Sequence, residues 1–216
     1  MRLYASIGFS LLYLMHFPIA SANAALSEDT PPQEICALCH SYDGISRMAK
    51  FPKLAAQRAD YIESQVTAFM DGSRVNDGGQ MSSIVTEIEP ADIPAIAQWF
   101  ASLPAPEPEV VDADIYKAGA DIYQEHNCGQ CHGETGTVNS ADSAIRGVEV
   151  TDANLVTPHL SAQHGAYIKK QIADFISSER YHPNWFSSEN DREVIMNQLS
   201  EDDVNLISVF LAGSER

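Results

Sequence analysis

Cys36-Ala37-Leu38-Cys39-His40 and Cys128-Gly129-Gln130-Cys131-His132 decide how this chain is read. Together they use every cysteine in the 216 residues, and a histidine follows each pair at once. Two thiols at this spacing add to the two vinyl groups of one porphyrin, and the next histidine is held beneath the iron. This is the attachment sequence of haem c, written twice, so the expected cofactors are two covalently bound haem c groups. Other readings of paired cysteines fit less well. A zinc ribbon wants its two CxxC pairs roughly 15–20 residues apart, whereas 92 positions separate Cys36 from Cys128. A thioredoxin-like pair would sit beside a βαβ pattern, and the sequence shows none. Disulfides would account for the cysteines but not for two trailing histidines.

Working outward, the two motifs prove to be parts of a repeated unit. Pro52-Lys53-Leu54-Ala55-Ala56-Gln57 is echoed by Pro158-His159-Leu160-Ser161-Ala162-Gln163. Behind it Tyr61, Ile62, Gln65, Phe69 and Arg74 recur as Tyr167, Ile168, Gln171, Phe175 and Arg180, at a constant offset of 106. Ile62, Gln65, Val66 and Phe69 lie at helical spacing, which predicts an amphipathic helix. At the end of each unit Asp92, Ile93, Ile96 and Trp99 match Asp203, Val204, Ile207 and Phe210 at an offset of 111. Asp92 and Ser200 stand where helix starts are expected. Between the units, Leu103-Pro104-Ala105-Pro106-Glu107-Pro108-Glu109 reads as an extended, fairly stiff connector, because alternating prolines fix φ and remove donors. Strand-period alternation is confined to a possible short hairpin near Val148–Leu155. The expected fold class is all-α, with residues 25–103 as a first domain, 104–111 as the linker and 112–216 as a second domain.

The ordered set of repeats resembles the dihaem cytochrome c4 family over essentially the whole chain after its leader. That resemblance implies two tandem class I cytochrome c domains related by a pseudo-twofold axis, each wrapped around a covalent haem. It also implies single-electron transfer between redox partners in the periplasm, with partners such as a terminal oxidase or a periplasmic reductase or dehydrogenase. The cofactor anchors are then Cys36, Cys39, Cys128 and Cys131, with His40 and His132 as proximal iron ligands. The family pattern further gives the Pro52 carbonyl as the partner of the His40 ring. Met81, after the turn-rich loop Gly72–Gln80 and before a helix expected over Ser82–Ile88, becomes the sixth ligand of the first iron. His/Met ligation raises the reduction potential and closes the iron's coordination, as an electron relay requires.

The second unit departs from the pattern. From His40 to Pro52 is 12 residues and from His132 to Pro158 is 26, so the second loop, rich in turn residues such as Gly136, Asn139, Ser140 and Gly147, gains 14. At the offset of 111 Met81 falls on Arg192, and a guanidinium has no lone pair for iron. Five extra residues enter the distal loop Arg180–Glu189, which contains His182. Three occupants of the sixth position stay open: His182, Met196 or none. His182 lies in the distal loop itself, whereas Met196, with Ile195 and Leu199, reads as part of a buried helical stripe. His126, His159 and His164 are read as surface or supporting residues.

The N-terminus carries Arg2, an apolar stretch from Leu3 to Ala20, and the small-x-small triplet Ala22-Asn23-Ala24. This predicts a signal peptide over residues 1–24 and a periplasmic location. No later segment reaches the ~20 apolar residues of a membrane span. Without the leader, 12 Lys and Arg stand against 30 Asp and Glu, a formal charge of −18. Phosphate repels such a surface, which argues against nucleic acid. The acidity either solvates the protein or steers a basic partner. The leading reading is therefore an electron carrier and not an enzyme. The alternatives are a haem enzyme or sensor subunit with an open second iron, and a dedicated electron-accepting subunit of one oxidoreductase.

Overall fold

The computed structural model describes residues 31–138, 156–182 and 198–216. The predicted leader, the possible hairpin near 148–155, most of the long second loop, Arg192 and Met196 lie outside the described residues. Within them the chain is helical and contains no strand. In order come α1 (Gln33–His40), α2 (Ala59–Met70), α3 (Gln80–Ile84), α4 (Ile93–Ala101), α5 (Ala113–Glu125), α6 (Gly129–His132), α7 (Gly165–Ile176) and α8 (Glu201–Ala212). Short 3₁₀ turns at Val85–Glu87 and Pro90–Asp92 join α3 to α4. The helix expected over 82–88 thus starts two residues earlier and tightens into 3₁₀ after Ile84.

Helix boundaries follow local chemistry. Asp112 caps α5 by accepting from the Asp114 and Ile115 amides, and Ser200 caps α8 in a reciprocal box with Asp203. Each satisfies amide donors that a helix start leaves without partners. Asp92 precedes α4 but its carboxylate caps nothing; Pro94, in the first turn, sets that start instead.

Residues 31–216 form one compact unit built on two cores. In the first, Ile62, Val66 and Phe69 of α2 meet Val85, Ile93, Ile96 and Phe100, with Cys36, Leu54 and Met81 packed against them. In the second, Tyr123 of α5 and Ile168 of α7 meet Ile207, Phe210 and Leu211 of α8, with Cys128 and Leu160 alongside. The α5–α8 crossing is close because residue 119 is glycine: a Cβ there would lie 2.2 Å from the Leu206 carbonyl oxygen.

The repeated Pro-x-Leu-x-x-Gln segments join the two halves. The Gln57 side chain takes the His159 amide at 2.9 Å and donates to the His159 carbonyl at 2.8 Å. Gln163 does the same to Lys53, at 2.8 and 2.9 Å. Each glutamine therefore reads the main chain of the other half in the manner of one β-ladder rung. The Lys53 ammonium, almost wholly buried, donates to the Ala162 carbonyl at 2.8 Å. Arg216 spans both halves through the Ala55 and Ser161 carbonyls.

A second seam joins α2 to α7. Arg74 donates to Gln65, Tyr167 and Gln171; Arg180 donates to Gln171, Tyr61 and Gln65. The pattern is the same set of bonds with the halves exchanged, which is pseudo-twofold symmetry expressed in side chains. Burial alone would raise the Tyr61 pKa, but the guanidinium groups of Arg180 and Arg74 outweigh it and hold the phenol below its ordinary value.

Candidate functional site

Each half places its cysteine pair and histidine by one local design. In the first, α1 carries Cys36, Cys39 and His40, and the chain turns back so that the Leu54 and Ala55 amides bond the Gly44 carbonyl. That turn delivers Pro52 to the histidine: the His40 Nδ1–H donates to the Pro52 carbonyl at 2.9 Å. In the second half the Leu160 and Ser161 amides bond the Gly136 carbonyl, and the His132 Nδ1–H donates to the Pro158 carbonyl at 3.2 Å. A carbonyl can only accept, so in both rings Nδ1 holds the proton and Nε2 keeps its lone pair for a metal. The 14 residues added to the second loop leave this geometry intact.

Electrostatics keep these rings neutral. Burial lowers the His40 pKa, opposed by the Pro52 carbonyl. Burial and the neighbouring His182 lower that of His132 to about 4, against the Pro158 carbonyl. A neutral imidazole is the form that ligates. Burial likewise pushes the Cys36 and Cys128 thiols up to about 11. Buried thiols of this kind stay protonated at neutral pH and are poorly reactive on their own. Among the described residues no group of three or more His, Cys, Asp or Glu is arranged for a bare metal ion. The donor set thus fits a porphyrin iron: two thiols and one oriented imidazole per half, beside an apolar core.

The distal sides differ. Met81, at the first turn of α3, packs on the first core together with Cys36. In the second half the His182 ring lies with its centroid 6.2 Å from that of His132, at 52° between planes, and packs edge-on to Phe175 at 4.8 Å.

His159 and His164, expected at the surface or in support, both belong to the seam between the halves. His159 Nδ1 accepts from the Val138 amide at 3.1 Å, and burial with Arg216 and Arg58 lowers its pKa to about 4. His164 Nε2–H donates to the Ser46 carbonyl at 2.9 Å. The glutamines and arginines of the seam were visible in the sequence only as echoes. Their signal was polar identity at the same fixed offset as the repeated apolar residues.

Residues 116–215 match the family model described as Cytochrome c. The chain is 28% identical over 188 residues to cytochrome c4 of Pseudomonas aeruginosa, with 83% of each covered. It is 39% identical over 70 residues to the thiosulfate dehydrogenase electron acceptor of Thiomonas intermedia, covering 32% of each. Among solved structures, cytochrome c4 of Acidithiobacillus ferrooxidans aligns with a TM-score of 0.65 at 22% identity, over 83% of this chain and 99% of the other.

Proposed function

We propose that this chain is a dihaem cytochrome of the c4 kind, with an all-α class I cytochrome c fold, two covalent haem c groups and a role in electron transfer, a reading supported by its likeness to cytochrome c4 over 83% of its length. Cys36 and Cys39 anchor one haem and Cys128 and Cys131 the other, in domains spanning 25–103 and 112–216 on either side of the 104–111 linker. His40 and His132 supply the proximal nitrogens, and Met81 is the sixth ligand of the first iron. When bound, the haems supply the reversible one-electron chemistry. The chain's own residues orient the imidazoles, exclude water and hold the two centres in fixed relation.

The observation that carries this reading is the twin bond from His Nδ1–H to a proline carbonyl, at 2.9 and 3.2 Å. An imidazole held in one tautomer, with the other nitrogen pointed away, is the arrangement of a metal-bound histidine. Two such sites on one rigid seam favour a relay that does no substrate chemistry of its own. The chain acts in the periplasm after removal of residues 1–24, and its partners are redox proteins there or at the membrane face. The local likeness to a thiosulfate dehydrogenase electron acceptor, confined to 70 residues, favours as a second reading that one dedicated periplasmic dehydrogenase is the donor.

The test is natively matured protein. Intact mass and haem content should give two haems per chain that survive acid-acetone extraction. Cys128→Ala with Cys131→Ala should retain one. Zinc in place of iron, or colour lost on extraction, would overturn the assignment.

A further inference from the structure

We infer that His182 is the sixth ligand of the second iron, so that the two haems are chemically unlike: His40/Met81 in the first domain and His132/His182 in the second. The inference rests on the dihaem reading above and deepens it.

Two imidazoles that face one metal from opposite sides, each at the usual nitrogen–metal distance of ~2 Å, have ring centroids about 6 Å apart. The centroids of His132 and His182 are 6.2 Å apart. A tilt of 52° between the rings fits as well, since each ligand turns independently about its own metal–nitrogen axis. Nδ1 of His132 is committed to the Pro158 carbonyl, which leaves Nε2 to face the gap. Phe175 packs edge-on against His182 and itself carries the Arg180 guanidinium at 4.9 Å. The ring is thus supported by α7 and by the arginine seam.

The repeat explains why a histidine stands here. At the offset of 106 the twin of His182 is Asn76. Asn76 is buried and donates across the seam to Gln171 and to the carboxylate of Asp174. The twin of Asp174 is Ala68, which offers no side-chain acceptor. The cross-seam carboxylate contact that holds Asn76 therefore has no counterpart in the other half, and the second domain uses the position for a ring directed at His132. At the offset of 111 that relates the last helices, Met81 falls on Arg192, which cannot bind iron. One domain has the thioether and a seam asparagine; the other has no thioether at that position and a histidine where the asparagine was.

Two consequences follow. The second iron is six-coordinate and closed to added ligands, which fits a relay and not an enzyme. Its potential lies below that of the first, because methionine is the axial ligand that raises it, so electrons pass downhill from the second haem to the first.

The experiment is low-temperature EPR and near-infrared magnetic circular dichroism of the oxidised, matured full chain. Haem content is measured on the same sample, so that loss of the dihaem reading shows separately as fewer than two haems. Expected are two low-spin species in equal amounts, one bis-imidazole and one imidazole–thioether, with the thioether-to-iron charge-transfer band at half the intensity of two such haems. His182→Ala should convert half the iron to high spin, and added imidazole should restore the low-spin signal. His182→Met should double the thioether band and narrow the gap between the two potentials. Two thioether haems in the wild type, which would give the position to Met196, or high-spin iron at half occupancy, or an unchanged spectrum in His182→Ala, would each overturn the inference.

Discussion

His159 shows how much one side chain in the seam contributes. Its Nδ1 accepts the Val138 amide, so the ring must be neutral there, and burial with Arg216 and Arg58, partly offset by Asp60, holds its pKa at about 4. An unfolded histidine titrates near 6.5. Between those values the unfolded chain binds more protons than the folded one, so stability rises with pH. This contribution is fully present above about 6.5 and declines as the pH falls toward 4. His159→Gln keeps an acceptor and removes the proton site. Thermal melts across this range should show a shallower loss of Tm on acidification than the wild type; equal slopes would place the acid sensitivity elsewhere. The sequence made the motif histidines legible because covalent attachment leaves a spacing that nothing else explains. It did not make His159 legible, since its role depends on an amide 21 residues away and no local pattern encodes that.

At the scale of elements, the Pro-x-Leu-x-x-Gln segment does two tasks. Its proline presents a carbonyl to the histidine, and its glutamine clasps the other half. Gln57→Ala leaves the amide and carbonyl of His159 without their partners, and a buried group so stranded costs about 1–3 kcal/mol. Both Gln57→Ala and Gln163→Ala should lower the denaturant midpoint measurably, and the double variant should uncouple the halves into two transitions. A single unchanged transition would show the arginine seam to suffice. The α5–α8 crossing makes a different demand. With a Cβ already at 2.2 Å from the Leu206 oxygen, Gly119→Val must push the helices apart, a strain of roughly 1–3 kcal/mol that the same unfolding curves would read. The helical period of α2 and the start of α8 were readable because capping residues and apolar spacing act within a few positions. The 3₁₀ tightening after Ile84 was not: it answers to Val85, Ile88 and Ile93 joining one core, a long-range requirement.

At the scale of the whole molecule, duplication was legible as repeated residues, but its meaning as a pseudo-twofold seam appeared only in the reciprocal bonds of Arg74 and Arg180. Those bonds fix the two sites relative to each other, which a relay needs and a flexible linker would not provide. The formal charge of −17 for the chain sets a further expectation. Association with a basic redox partner should slow as salt rises, because attraction between exposed charges is screened beyond about 8–10 Å at physiological ionic strength. Stopped-flow rates that stay flat across ionic strength would assign the acidity to solubility alone. The central claim, that this chain is a two-centre, one-electron relay, is tested most directly by a coulometric redox titration of the matured protein. The account predicts two electrons taken up per chain, in two reversible one-electron steps that separate in potential. Uptake of a single electron, or one cooperative two-electron step, would contradict it.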